Sequence, residues 1–375
     1  MELKPNIAIF FGGESVEHDI SVLTGMQVIN AISDKYNIYP IYIDRTGKWF
    51  LKIGVKNVDD INKIKVRQVN VISCDNYLYS FKKKICEIHS AVLAMHGRYG
   101  EDGALQGILE CSNIPYTSCD IKSSALTMDK ISMKKYFEIC DAPVLEYFCV
   151  NLSVWQRQKE VVLSMAKDFG YPLIVKPSKL GSSIGISLAE DENGLIKAIE
   201  LALEFDKNLL IERAVKDLVE VNASCFSYKG ELMVSELERP IKSDEILSFE
   251  DKYKRGGKST KGGTGHSGGK GGGMASLSRV IPADITSDIY NHIVELVKKI
   301  YIDFGCSGVI RCDFILNGEK VYVNEINSIP GSLAFYLWQA KGISFTALLN
   351  MLIEDSLWRK QNDDCIKVFN SGLIK

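Results

Sequence analysis

Oxygen-bearing side chains with the spacing of metal ligands stand near the C-terminal end of the chain: Asp313 in Arg311-Cys312-Asp313-Phe314, then Glu325 and Asn327 in Val321-Tyr322-Val323-Asn324-Glu325-Ile326-Asn327. Strand side chains alternate between faces, so Glu325 and Asn327 point the same way, toward whatever Asp313 faces on the preceding strand. Two carboxylates and an amide are hard donors suited to Mg²⁺, which keeps waters and takes its remaining ligands from substrate phosphates. Arg311 falls on the Asp313 face of its strand, where a cation can meet an oxyanion beside the metal. A surface hairpin with ordinary acidic residues is the competing reading of this segment taken alone.

Other residues with chemical potential are individually ambiguous. Val175-Lys176-Pro177 leads into Gly181-Ser182-Ser183-Ile184-Gly185, a glycine and serine loop between two expected strands. Such a loop can bring exposed amides close to a phosphate, and it can equally be a plain hairpin turn. Lys176, directly after a buried apolar run, must reach solvent or meet an anion. Lys130, on an expected helix that also bears Asp129, is either solvated or a phosphate ligand. Glu212 and Glu220 suit the adenine and ribose end of a nucleotide, or are surface acids. His96, in the loop after Ala91-Val92-Leu93-Ala94-Met95, is expected to face a cleft and bond an anion, or to fix its own loop. Glu17 and His18 follow Gly12-Gly13 and open a helix, where capping electrostatics alone account for Glu17.

The elements that must position these residues follow from pattern. Ile7 to Phe11, Ser21 to Ile32 and Ile38 to Ile43 alternate strand, helix and strand, which predicts a parallel sheet in the first unit. Both Gly12-Gly13 and His96-Gly97 follow strands, and ligands of open α/β sheets bind at strand C-terminal ends. A central unit is expected over 121–213, with strands ending at Cys149, over Leu173 to Lys176 and over Asn208 to Arg213, and with helices through Lys167 and from Glu190 to Phe205. A strand-rich unit is expected over 214–375, after an N-terminal unit of 1–120. It contains a mobile loop over 254–273; from Gly256 to Gly273, 10 of 18 residues are glycine. Gly257-Lys258-Ser259 imitates the end of a P-loop, but Lys252 stands where that motif needs glycine.

At 375 residues, two or three packed domains are expected. An apolar fraction of 46% and a charged fraction of 25% are those of a soluble globular protein. A net charge of −2 gives no reason to invoke nucleic acid or membrane as the main partner. The ten cysteines lack any C-x-x-C pair and read as reduced thiols. Met1-Glu2-Leu3-Lys4-Pro5 lacks the features of a signal peptide, and a cytoplasmic protein is expected.

Taken together, the motifs resemble the ATP-grasp superfamily and, within it, the D-alanine:D-alanine ligase family. The resemblance is carried by Gly12 to Ser21, His96-Gly97-Arg98-Tyr99-Gly100-Glu101-Asp102-Gly103-Ala104-Leu105-Gln106-Gly107, Val175 to Pro177 with Gly181 to Gly185, Asp251-Lys252-Tyr253, Arg311 to Phe314, and Asn324 to Gly331. It implies an ATP-grasp fold, α/β with an α+β C-terminal half, behind a Rossmann-like parallel-sheet domain. It also implies ligation of D-amino acids through an acylphosphate, for peptidoglycan precursors, by a homodimer using ATP and two Mg²⁺ ions, with Mn²⁺ as a substitute. By the same resemblance Lys130, Lys176 and Lys252 hold phosphates, Glu212 and Val215 contact adenine, and Glu220 contacts ribose. Asp313, Glu325 and Asn327 hold the metals. Arg311 and the Gly331 amide stabilise the oxyanion, while Glu17, Ser182 and Tyr253 form a hydrogen-bonded set at the first substrate; His96 also binds substrate.

The chain departs from the family after Pro330-Gly331. Ser332-Leu333-Ala334-Phe335-Tyr336-Leu337-Trp338 replaces a Thr-Ser-rich stretch, and Tyr336 stands where a serine helps to bind the second substrate's carboxylate. A phenol is far bulkier, so the acceptor stays open between D-alanine and another group such as D-serine or D-lactate. A nucleotide-binding homologue with impaired catalysis is the remaining alternative.

Overall fold

The computed structural model describes residues 4–65, 67–72, 74–216, 218–241 and 279–362. Lys252, Tyr253 and the glycine-rich stretch lie outside them. The chain forms a four-stranded N-terminal sheet ordered Trp49–Leu51, Asn37–Ile43, Asn6–Gly12, Ser90–Met95. Its last three strands are parallel, and Trp49–Leu51 pairs antiparallel at one edge. Ile7 to Gly12 and all of Ser90–Met95 are buried, as expected of parallel strands covered on both faces. Helix His18–Ala31 packs against these strands, as does helix Phe345–Asn362, which returns from the far end of the chain. The Ser90 and Ser356 hydroxyls meet at 2.6 Å across that contact. A small antiparallel sheet of Asn70–Ile72, Asp75–Ser80 and Lys83–Glu87 interrupts the expected strand and helix alternation.

The central sheet is antiparallel, ordered Ser187–Ala189, Leu173–Pro177, Asn208–Arg213, Tyr147–Asn151. Helices Lys159–Phe169 and Glu192–Leu203 cover it around Val162, Ala166, Ala198 and Ile199. The single helix expected to bear Asp129 and Lys130 is instead two, Ile121–Met128 and Lys130–Ile139. Asp129 adopts an extended backbone and caps the second helix, accepting from the amides of Ile131 at 3.1 Å and Ser132 at 3.0 Å. The break presses Lys130 onto the central sheet, its amide donating to the Ser178 carbonyl at 2.9 Å.

The C-terminal sheet is also antiparallel, ordered Glu231–Val234, Val219–Tyr228, Ile310–Asn317, Lys320–Asn327. One face rests on helix Ser287–Asp303 through a core that includes Ala223, Cys225, Ile293, Val297, Cys312 and Phe314. Strand alternation therefore turns Asn222, Arg311 and Asp313 to the opposite face. Beyond Pro330 the backbone makes a tight turn, Gly331–Ala334, in which Ser332, Leu333 and Ala334 all have left-handed φ values of 54°, 51° and 50°.

Candidate active site

The metal-spaced residues meet as expected from alternation. Asp313 lies directly opposite Glu325, and Arg311 opposite Asn327, with a bulge immediately after Asp313. The Asn327 amide donates to Asp313 Oδ2 at 3.2 Å. Arg311 binds the same carboxylate with two parallel hydrogen bonds, Nε to Oδ1 at 2.6 Å and Nη2 to Oδ2 at 2.7 Å. Both partners of this pair are buried. Burial pushes Asp313 up to about 6, helped by the nearby Glu325 and Glu220 charges, while the Arg311 guanidinium pulls the other way. Among the described residues no three His, Cys, Asp or Glu side chains form an all-protein metal cage. Two facing carboxylates with an adjoining amide fit an ion that draws its other ligands from water and phosphate.

Cations from the central unit face this floor. Lys130 Nζ is 3.0 Å from Glu325 Oε2, and Lys176 Nζ donates to Asn324 Oδ1 at 3.2 Å. Lys176 also contacts Glu212, whose other oxygen lies 2.6 Å from Lys134 Nζ. Burial alone would push Glu212 up, but Lys176 and Lys134 hold its carboxyl down at about 2. Glu212 is thus a buried anchor between two lysines, where the sequence pointed to adenine contact or a surface acid. Lys134 was not singled out in the sequence. It lies four residues after Lys130 on one helix face, and that spacing is the signal that finds it.

The glycine and serine loop closes the site from the N-terminal side. Ser182 and Ser183 both take left-handed φ values, 54° and 59°. Ser182 Oγ donates to Glu17, which is buried, and a Cβ on Gly181 would stand 2.9 Å from both Glu17 carboxylate oxygens. Glycine at 181 is therefore what allows the loop to reach this acid.

His96 does not face an open cleft. It is 4% exposed, with Nε2 at 2.9 Å from Thr24 Oγ1 and the ring hydrogen-bonded to the Ile329 backbone. Burial pushes it down to about 4, so it is neutral and couples the first sheet to the Asn327 to Gly331 segment. Thr24 also accepts from the Ser332 amide at 3.4 Å, next to Gly331. Glu101, quoted above only as part of a motif, fastens the same segment. It accepts from the amides of Gly97 at 2.6 Å and Ile329 at 3.3 Å. Burial and the neighbouring Glu17 push it up to about 8.

Glu220 is half-buried near Asp313, and Val215 lies in the connection between Asn208–Arg213 and Val219–Tyr228. Tyr336, on helix Phe335–Ala340, is buried, and its hydroxyl donates to Glu238 Oε1 at 2.8 Å.

Two family models match the chain. The D-ala D-ala ligase N-terminus model matches residues 6–119, and the D-ala D-ala ligase C-terminus model matches 137–264 and 271–354. The chain is 35% identical to the D-alanine--D-alanine ligase of Thermosipho melanesiensis, over 99% of this chain and 98% of that protein. It is 37% identical to the enzyme of the same name from Thermosipho africanus, over 93% and 92% of the two chains. Among solved structures, the VanG D-Ala:D-Ser ligase of Enterococcus faecalis matches with a TM-score of 0.79 at 28% identity, covering 94% of this chain and all of that one. The Coxiella burnetii D-alanine-D-alanine ligase has the same fold, with a TM-score of 0.80 at 24% identity over 96% of each chain. With both family models covering most of its length and relatives above 30% identity spanning nearly all of it, this chain belongs to the D-alanine--D-alanine ligase family.

Proposed function

We propose that the protein uses ATP to join D-alanine to a second D-amino acid, with D-alanyl-D-alanine as the principal product. The observation that carries this reading is the facing of Asp313, Glu325 and Asn327 by Lys130 and Lys176, with Arg311 on the same floor. Lys130 and Lys176 would hold phosphates of ATP, and Lys252 would add a cation there. Val215 and Glu220 would address adenine and ribose, with Glu212 fixing Lys134 and Lys176. Asp313, Glu325 and Asn327 would hold two Mg²⁺ ions, which when bound neutralise charge along the phosphates.

Glu17, with Ser182 and Tyr253, would bind the ammonium group of the first amino acid, whose carboxylate attacks the γ-phosphorus and releases ADP. The amine of the second amino acid then attacks the acyl carbon of the acylphosphate. Arg311 and the Gly331 amide would stabilise the tetrahedral oxyanion, and phosphate leaves as the peptide bond forms. His96 and Glu101 would hold Ile329, and through it Gly331, in place. The three-unit division at 1–120, 121–213 and 214–375 would put the nucleotide between the second and third units. We further propose that the protein acts as a homodimer in the cytoplasm; sedimentation at a single 41.8 kDa chain mass would count against the dimer. No helix of the described residues is long and apolar enough to cross a membrane.

Purified protein supplied with ATP, Mg²⁺ and a panel of D-amino acids should release ADP with D-alanine and give a product of D-alanyl-D-alanine mass. Absence of that product at high D-alanine would overturn the reading. Glu325→Gln should abolish ligation with the fold intact, and an unchanged rate would refute the metal assignment. Another acceptor in place of the second D-alanine is the second reading, since Tyr336 leaves the acceptor open, and the likeness to a D-Ala:D-Ser ligase favours D-serine among the candidates.

A further inference from the structure

Two connecting segments run against each other just before the strand that carries Arg311 and Asp313. Thr117 to Cys119 leads from Tyr116, which is bridged to Ala91 of the first sheet, into helix Ile121–Met128. Cys306 to Gly308 leads from helix Ser287–Asp303 into strand Ile310–Asn317. Gly308 lies against the Thr117 carbonyl with no room for a Cβ, and Ser307 Oγ donates to the Ser118 carbonyl at 2.8 Å. Each step back along one segment is matched by a step forward along the other, which sets Cys306 opposite Cys119. Residues that face each other across antiparallel backbones have Cα atoms about 4.5–5.5 Å apart, within the roughly 4.4–6.8 Å that a disulfide spans.

The side chains follow the backbone. Cys119 is buried, Cys306 is half-buried, and the Cys306 thiol is hydrogen-bonded to the Cys119 sulfur. That bond draws the Cys119 thiol below its ordinary value against the opposing effect of burial, and the Ser307 amide adds to it. The same bond, together with burial, pushes Cys306 well up. Cys119 is therefore the thiolate side of the pair, and Cys306 holds the proton. Neither thiol has a part in the proposed ligation.

We propose that Cys119 and Cys306 form a redox-modification site, in which a hydroperoxide closes a reversible disulfide between them and thereby slows the site at Arg311. With hydrogen peroxide, the Cys119 sulfur attacks one peroxide oxygen and becomes a sulfenic acid. The hydroxide released takes the Cys306 proton and leaves as water. The Cys306 sulfur then attacks the sulfenic sulfur and closes the S–S bond, and the second hydroxide takes up the proton that Cys119 shed to solvent. Two thiols and one peroxide thus give one disulfide and two waters. Small thiols open the bond again, so in a reducing compartment it is transient. Replacing a thiol hydrogen bond by a covalent bond draws the two sulfurs together. Gly308 cannot absorb that movement, because backbone already meets backbone there, so the displacement passes along the chain to Arg311.

The test uses the full chain, assayed by ADP release with D-alanine before hydrogen peroxide, after it, and after dithiothreitol, with alkylation and peptide mass mapping of each sample. Peroxide should produce the linked peptides of Cys119 and Cys306 and lower kcat by about ten- to a hundred-fold, the scale of a small misplacement of reacting groups. Dithiothreitol should reverse both. Cys119→Ala and Cys306→Ser should each ligate at the untreated rate and keep that rate in peroxide, and either one suffices if the other fails to fold. Absence of the linked peptides, linkage of Cys306 to Cys225 or Cys312 instead, or an unchanged kcat in the linked protein would overturn the proposal. So would wild-type sensitivity to peroxide in the variants, which would place the damage elsewhere. The linkage is read by mass and stands apart from the ligase reading, on which only the rate measurement rests.

Discussion

Glu212 shows how one buried carboxylate can organise cations that it does not itself deliver to chemistry. With Lys134 and Lys176 on its two oxygens, it keeps a lysine inside the protein that burial would otherwise discharge. Glu212→Gln should destabilise the fold by about 3–5 kcal/mol, since it strands buried positive charge. Adding Lys134→Met should recover much of that loss, and paired denaturant titrations of the two variants measure it. Glu101 makes the opposite case. Its folded-state pKa of about 8 lies above its ordinary 4.5, so the folded form holds a proton that the unfolded chain has released. Its contribution to stability is complete below pH 4.5 and is lost as pH rises through about 8. Glu101→Gln should flatten this alkaline decline in Tm, and an unchanged slope would remove Glu101 as its source.

At the scale of elements, Gly308 precedes the strand that carries Arg311 and Asp313. Its φ is 63°, and a Cβ there would meet the Thr117 carbonyl oxygen at 1.9 Å. That oxygen and the Ser118 Cα, 2.8 Å from the same Cβ, are both backbone, so nothing can swing aside. Gly308→Ala should cost at least ~1–3 kcal/mol from the left-handed backbone alone, and thermal unfolding should show the loss. The hairpin of Ile310–Asn317 and Lys320–Asn327 was legible because alternation fixes which side chains share a face. Lys176 and the glycine and serine loop were legible as strand, loop and strand for the same reason. The split at Asp129 was not read, although an aspartate is a favoured cap, because apolar periodicity runs through it. The burial of His96 depends on Thr24 and Ile329, which reach it from distant segments. Arg279 and Glu238 meet because Arg239–Pro240 pairs with Arg279–Val280, a closure that no local periodicity announces.

Across the whole molecule, the described residues converge on one region from the three four-stranded sheets and the loops beside them: Glu17, His96 and Glu101 beside the first, Lys176 and Ser182 from the second, Arg311, Asp313 and Glu325 from the third. The helix Phe345–Asn362 returns to pack on the first sheet and joins it in one core with Phe226 and Trp338 of the C-terminal part. The backbone of this region departs from what is locally comfortable. Ser182 and Ser183 on one side, and Ser332, Leu333 and Ala334 on the other, hold left-handed conformations without being glycine. Each such residue costs roughly 1–2 kcal/mol that glycine would largely spare. The surrounding fold must therefore be more stable than its function would otherwise require, with the surplus spent at the two lips of the site. Selection for heat resistance alone should drift toward glycine at Ser183 and Ala334, giving a sturdier protein and a slower one.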